Sequence, residues 1–430
     1  MRCSRGVSSG VAFFLALLWV LPAVGGGFSN LDFGIRRMGM FAVTAKPDDG
    51  TAIFHNPAGM TLQEGTILYH SQSWFIADLG FRMYDSEGKL WPDHEITPDW
   101  SVGVIPFIGV TSDLGLEDLR LGLGIYAPNA YGAALPKSEP SRYHATRALF
   151  LAARATLAAA YRVTPRFSVG ASISVVPVYL TASRVMNPLV LQDPDNRFAP
   201  PEVTAPFDAT LDLNGLAVTW AWDVGVLLHP FDNFSIGLGF ASGSDFTLKG
   251  DVTLTQPDGT RVTATQRTRM VIPFTLRAGF NWEFVRNFEV AMDIYWWHYQ
   301  ILQEQRTRLS EPIMGIGELV DPKNYGNSWN WCIGLLYRVH PRVELMVGYQ
   351  EDYTPIPTRT FTLDNPSRDQ RGISMGIRWQ VNDSVRLGAA YVRNWFDLPD
   401  VRDSISMPPS NIKGYGGNNE VGIDVQWNIL

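Results

Sequence analysis

Chemistry needs particular side chains within reach of one another, and this chain of 430 residues offers few such sets. A hydrolytic site on a membrane-facing wall would need a serine, a histidine and an orienting polar group converging on one place. Of the 7 histidines, His298 and His340 fall near the ends of strand-like runs without an evident serine partner, and both read as interfacial residues. Asp193, Asp195 and Asn196 offer oxygen atoms of the kind calcium takes, but a Pro/Asp-rich loop has that composition anyway. The spacing therefore calls for no catalytic residue, no metal and no cofactor. Cys332 reads as a small hydrophobe, buried or facing lipid, and it is the only cysteine besides Cys3, so no internal disulfide is expected in the mature chain.

The elements that would position any site are plainer. Tight polar or Pro-containing joints occur at Val163-Thr164-Pro165-Arg166, His229-Pro230-Phe231-Asp232-Asn233, Phe284 to Asn287, His340-Pro341-Arg342 and Asn382-Asp383, each able to close a hairpin in a few residues. Between them lie long connections rich in Pro, Asp, Asn and Ser, near residues 79–98, 128–148, 188–207, 303–325, 354–368 and 398–417. Short and long connections alternate, so all the bulk sits at one end. A sandwich or propeller has no reason for that arrangement, whereas bacterial outer-membrane barrels have short periplasmic turns and long extracellular loops.

The runs between these joints alternate with a period of two. Val421, Ile423, Val425, Trp427 and Ile429 are interleaved with Glu420, Gly422, Asp424, Gln426 and Asn428, which puts every apolar side chain of the run on one face. The same holds for Ile373, Met375, Ile377, Trp379 and Val381, and for Phe234, Ile236, Leu238 and Phe240. In a bilayer all backbone polar groups must pair within the protein, so strands cross only as a closed barrel.

Fourteen strands are expected, near 64–78, 99–111, 118–127, 149–163, 166–187, 208–229, 233–252, 262–281, 285–302, 326–340, 342–353, 369–381, 384–397 and 418–430. The architecture is an all-β membrane protein, a fourteen-stranded antiparallel transmembrane barrel, even in strand number as single-chain bacterial barrels are. Trp296, Trp297 and Tyr299 on the outer side, and Tyr161, Phe231, Trp282 and Tyr337 on the inner side, read as two interfacial girdles.

A mean hydropathy of -0.03 excludes a helical membrane bundle and is otherwise mute, because a barrel hides its hydrophobicity in alternation. Arg2 and Arg5, the apolar run Val11 to Leu21 and Ala23-Val24-Gly25 have the form of a secretory signal cleaved near Gly25. Its loss takes the formal charge from -7 to -9, which argues against a nucleic-acid partner. Residues 1–25 are thus a leader, 26–62 a segment without a clear membrane strand, and 63–430 the barrel. The segment is expected inside the barrel as a plug, since interior room grows with strand number. At the other end, Ile429 rather than an aromatic residue holds the lipid-facing phase before Leu430.

Gly39, Ala42, Ala45, Asp48-Asp49, Ala52 and Asn56-Pro57-Ala58-Gly59-Met60 resemble the N-terminal hatch of the FadL/TodX family, outer-membrane transporters of long-chain fatty acids and other hydrophobic compounds. The likeness continues through Gly122-Leu123-Gly124-Ile125-Tyr126-Ala127-Pro128, Tyr131-Gly132, Arg142-Tyr143, Trp222 to Leu227, Lys249-Gly250, Thr354 to Pro357 and Arg371 to Ser374, and so spans essentially the whole mature chain. The resemblance implies a fourteen-stranded barrel with the hatch inside it. It also implies passive uptake of a hydrophobic molecule, long-chain fatty acid first, with aromatic hydrocarbon and alkane as the other classes. Loops would capture the ligand, an apolar pocket would hold it, the hatch would shift, and the ligand would leave sideways at a kink in the third strand, near Gly122 and Gly124. Phe28, Phe33, Phe41, Phe54, Tyr131 and Phe150 become ligand-contact candidates, and Arg142 and Arg147 partners for a carboxylate. Asp48 and Asp49 are expected to tie the hatch to basic residues of the wall. Outer-membrane lipid and lipopolysaccharide are the surrounding partners, and the protein is expected to be a monomer. The rival readings are a water-filled porin for hydrophilic solutes and, further off, an outer-membrane lipase.

Overall fold

A computed structural model describes residues 28–99, 102–365, 367–397 and 400–429; the leader and Leu430 lie outside them. The described strands are β1 (Thr66–Tyr84), β2 (Leu90–Ile96), β3 (Val102–Ser112), β4 (Leu119–Ala134), β5 (Arg147–Thr164), β6 (Phe167–Met186) and β7 (Ala209–Phe231), then β8 (Phe234–Ala241), β9 (Ser244–Thr255), β10 (Arg261–Ile272), β11 (Thr275–Val285) and β12 (Phe288–Trp297). The chain continues through β13 (Glu304–Ile313), β14 (Ile316–Pro322), β15 (Ser328–His340), β16 (Val343–Asp352), β17 (Gln370–Gln380), β18 (Val385–Phe396) and β19 (Ile412–Asn428). Among the described residues no helix is long and apolar enough to cross a membrane.

Fourteen of these strands form a closed antiparallel ring, in which β1 pairs with β3, β8 with β11, β12 with β15, and sequence neighbours pair elsewhere. The ring closes where β1 meets β19, from Ile67 opposite Asn428 to Met83 opposite Ile412. The alternation read from the sequence sorts the two faces. Ile373, Met375, Ile377 and Trp379 are exposed outward while Ser374 and Arg378 are buried. Val421, Ile423, Val425 and Trp427 are likewise exposed, while Glu420, Asp424 and Gln426 are buried.

The remaining strands belong to the elaborated end. The runs expected as single strands over 233–252 and 262–281 each break, at Ser242-Gly243 and Pro273-Phe274; their outer halves, β9 and β10, form a hairpin whose β9 side pairs with the top of β7. The loop expected at 303–325 is the hairpin β13–β14, and β10 pairs with β13. Residues 79–98 are also hairpin, β2 folding back on the outer end of β1. At the other end Asp113 to Asp118 adds a short turn absent from the expected set, with Leu114 and Gly115 at positive φ. Two girdle assignments are corrected. Trp297 and Tyr299 are buried inside, in phase with the inward Glu289 and Asp293, whereas Tyr161, Phe231, Trp282 and Tyr337 are exposed outward.

Residues 28–63 pack within the ring. Helix α1 (Ile35–Met40), buried along its whole length, lies against the inner face of β15 to β19. Helix α2 (Ala52–His55) follows, then a 3-10 turn, Pro57–Leu62, against β4 to β7. Asn56 caps that turn by accepting from the Ala58 N–H, while its amide donates to the carbonyls of Thr44 and Val226, both at 3.0 Å. The wall lacks side chains where the segment's backbone touches it: a methyl group at Gly170 would collide with Pro57-Ala58, and one at Gly237 with Thr44.

Candidate functional site

The segment meets the wall in three chemically different ways. Toward the short turns the contact is ionic and buried. Arg36 donates to Glu289 at 2.9 Å and Asn281 at 2.8 Å, and Lys46 reaches the other Glu289 oxygen at 2.6 Å, where Arg338 also donates. Arg378 links Asp48 at 2.7 Å to Glu344 at 2.6 Å. Asp48 thus meets a basic wall residue. Asp49 does not: its carboxylate turns inward and accepts from the N–H and hydroxyl of Thr51, fixing the start of α2.

Above this floor the contact is aromatic, in two compartments. Phe33 and Phe54 pack edge-on at 5.1 Å between ring centroids, against Tyr126 and Phe107 of the wall. Nearer the loops Phe28 packs edge-on against Phe150 at 5.5 Å and Tyr299 at 5.3 Å, and Tyr131 stacks on Phe150 at 5.3 Å. A cavity of about 30 Å³ opens beside Phe28 and Tyr131, toward Met270, Leu302 and Tyr325. Phe41 belongs to the same apolar cluster, but the Arg37 guanidinium lies 5.4 Å from its ring, which ties it to the packing of α1. Tyr299, expected in the outer girdle, and Tyr325, which no motif of the sequence singles out, are both buried here. The phase of β12, set by Glu289 and Asp293, was the signal that pointed the Trp297 side of the strand inward.

The third contact is backbone to backbone. The pairing of β3 with β4 ends at Phe107 opposite Tyr126, although β4 runs on to Ala134 and β3 back to Val102. Above Tyr126 the two strands part, and the register of β4 against β5 shifts between Tyr126 and Asn129. The departure therefore falls at Ala127-Pro128 rather than at Gly122 and Gly124. Those two glycines lie in regular pairing with β3 and β5, and they give room to Met60 and Ile53 of the segment. Pro128 has no N–H to offer a neighbouring strand.

The freed edge of β4 is taken by the segment's first residues. The Asn30 N–H donates to the Pro128 carbonyl at 2.7 Å and the Ala130 N–H to the Phe28 carbonyl at 3.0 Å, with Ser29 opposite Asn129. The Tyr299 hydroxyl accepts from the Phe28 N–H at 3.2 Å and lies 3.1 Å from the Ser29 hydroxyl.

Outside, the loops enclose a cavity of about 380 Å³, lined on its apolar side by Leu211, Leu213 and Leu319 and on its polar side by His144, Arg147, Arg184 and Asp321. Arg147 thus reaches this cavity. Arg142 is engaged elsewhere, since it donates to the Tyr143 hydroxyl at 2.7 Å and pairs with Asp208 at 3.4 Å, closing one loop onto the next. Burial, with the charges of Arg197 and Arg184 nearby, holds His144 well below the ordinary histidine range, so it lines the cavity as a neutral group. Burial also lowers the loop guanidinium of Arg197 to about 10. Asp193 and Asp195 serve the loops: Asp193 caps a turn by accepting from the Asp195 N–H, and Asp195 accepts from Ser86.

Comparison with known proteins adds the following. Residues 22–418 match the family model described as outer membrane protein transport protein (OMPP1/FadL/TodX). No curated protein sequence matches. Among solved structures, a Pseudomonas aeruginosa FadL homologue superposes with a TM-score of 0.81 at 17% identity, covering 94% of this chain and 100% of its own. The Ralstonia pickettii toluene transporter TbuX gives 0.68 at 16% identity, over 92% of this chain and 98% of its own. The CymD monoaromatic hydrocarbon channel gives 0.66 at 14% identity, over 95% and 98%.

Proposed function

We infer the function from one premise: the chain belongs to the outer membrane protein transport family OMPP1/FadL/TodX. It is accordingly an outer-membrane barrel that transports hydrophobic compounds, and it is not an enzyme. We further propose the substrate class and the route. Long-chain fatty acid is the first candidate, because the outer cavity joins Arg147 and Arg184, suited to a carboxylate, to Leu211, Leu213 and Leu319, suited to its chain. The toluene and monoaromatic channels among the structural relatives keep aromatic hydrocarbon as the alternative cargo.

A captured molecule moves from the outer cavity to the aromatic cluster of Phe28, Tyr131 and Phe150, whose walls replace the water it leaves. The edge of β4 above Tyr126 carries the rest of the reading, because among the described residues its cover just above the parting, at Pro128 to Ala130, is the stretch Phe28 to Asn30, whose first ring also lines that cluster, while Asp99 meets the edge only at Ala134. A ligand that displaces Phe28 therefore pulls at the seal. Once the tip peels away, the gap between β3 and β4 offers a sideways exit into the bilayer. Residues 28–62 act as a hatch that moves at its tip. No energy source is required, and consumption of the substrate inside the cell sets the direction.

Ser29 and Asn129 form a non-hydrogen-bonded pair, the closer of the two antiparallel geometries, which suits a disulfide. The variant S29C/N129C is expected to lose uptake of a labelled fatty acid when oxidised and to regain it when reduced. Undiminished uptake by the oxidised form would overturn the tip-displacement route. Mass spectrometry of what co-purifies in mild detergent tests the cargo separately: a bound fatty acid supports it, and a bound aromatic hydrocarbon replaces it.

A further inference from the structure

We propose that the outward face of the extracellular sheet β7–β9–β10–β13–β14 binds the phosphorylated headgroup of an outer-leaflet glycolipid, through a row of cations formed by Lys249, Arg267 and Arg308. Lys249 lies directly opposite Arg267, and Arg267 directly opposite Arg308, across three adjacent strands. Residues opposite one another in antiparallel strands share a face, and like charges there repel. All three side chains are exposed.

The carboxylates nearby are mostly committed to other cations. Glu318 pairs with Arg308 at 3.0 Å, Asp245 with Arg269, and Glu304 with the neighbouring Arg306. Asp251, opposite Thr265 in the next row, forms no ion pair with any of the three. Among the described residues Lys249 and Arg267 have no carboxylate partner, although they are adjacent. Blocking of an open sheet edge by lysine does not account for them, because β9 and β10 are interior strands of this sheet.

The row's height identifies the anion. On the opposite side of Lys249 the outward neighbour is Leu216 of β7. From there toward the membrane the same face of β7 presents Val218, Trp220 and Trp222, all at least half exposed, while away from it come Asn214 and Asp212. Along β7 the row thus stands level with the step from apolar wall to polar surface, while on β9 and β10 the exposed Thr247, Arg269 and Asp245 lie between it and the membrane; a polar band of this kind above a hydrocarbon core is the depth of lipid headgroups. Aromatic side chains just below are the usual interfacial company. A diphosphorylated glycolipid of the outer leaflet meets this pattern: its phosphates neutralise the row by charge-assisted hydrogen bonds, and its acyl chains lie on Leu216, Val218 and Trp220. The other face of the same strands, through Leu211, Leu213 and Thr307, lines the outer cavity, so a bound lipid would brace the capture surface from behind.

The test uses the full-length protein, stripped of lipid in mild detergent and titrated with bis-phosphorylated lipid A, with fully dephosphorylated lipid A and with inorganic phosphate, bound lipid being counted by native mass spectrometry. Bis-phosphorylated lipid A is expected to bind one per barrel, and the K249Q/R267Q variant to bind it about tenfold more weakly for each cation removed. R261Q, an exposed cation at the far end of β10, is expected to leave binding unchanged. Equal binding of the dephosphorylated lipid by the unaltered protein would overturn the proposal without any variant. Equal losses in R261Q and K249Q/R267Q would do the same by reducing the effect to general charge. Displacement of the lipid by millimolar inorganic phosphate would replace the lipid site with a free-anion site.

Discussion

The two ends of the N-terminal segment are held by different physics. Its lower part is fixed by a buried network in which Arg36, Lys46 and Asp48 interlock with Glu289, Arg338, Glu344 and Arg378. Its tip is held by two backbone hydrogen bonds, the Tyr299 hydroxyl and aromatic packing. Removing one partner from a buried ion network costs about 3–5 kcal/mol, because the other charge is stranded. A hydrogen bond contributes about 0.5–1.5 kcal/mol net. The difference teaches where motion is cheap. On the proposed route a ligand works against the tip, where each contact costs less to break than an ion pair of the floor.

The contrast breaks most severely at Arg378, which is buried between Asp48 and Glu344. R378A leaves two carboxylates facing each other without that cation, and a loss of about 3–5 kcal/mol in the segment's anchoring is expected. In planar bilayers the intact protein should be closed and R378A should show frequent openings. If R378A stays as closed as the parent, the floor is not what holds the segment. Steady conductance from the intact protein would instead favour an open aqueous pore.

How far the sequence foretold these two ends follows from distance along the chain. The strands were legible because a lipid face and an interior face impose a period of two wherever they occur, as at Ile373 to Trp379. The break at Ser242-Gly243 was not, because apolar residues continue on even numbers across it. Leu238 faces lipid below the break, while Phe246 and Leu248 face the interior above it. Only the pairing partner reveals that exchange of faces. The floor was half legible: two acidic hatch residues suggested basic partners, but Arg378 lies 330 positions from Asp48, and Asp49 proved to be committed to Thr51. The seal at the tip was illegible in principle, since it is made by backbone groups that every residue carries.

A smaller effect sharpens the other side of the contrast. Y299F removes the hydroxyl that meets the Phe28 N–H and Ser29 while keeping the edge-on ring packing on Phe28. The tip should loosen by about 1 kcal/mol, a factor of about five in the lifted population. Initial uptake rates of a labelled fatty acid are expected to rise by up to that factor, with bilayer conductance still closed. Unchanged uptake together with unchanged amide exchange at Asn30 would mean that the tip is not the rate-setting contact.

The smallest effect vanishes at neutral pH. His144 sits in the outer loops with one ring nitrogen 3.1 Å from the Ser410 hydroxyl, and burial depresses its proton affinity. The unfolded loop would protonate it near the ordinary value of about 6.5. Above that pH the ring is neutral in both states and the linkage term is absent. As pH falls below it, the open loop gains a proton that the closed loop resists, so loop stability declines with acid. Limited proteolysis of the loops is therefore expected to accelerate between about pH 6.5 and pH 5, and H144Q should flatten that rise. The floor should not follow, because none of the residues in its ionic network is a histidine. Conductance that opens over the same acid interval would show that both ends answer to pH and would erase the distinction between a bolted floor and a liftable tip.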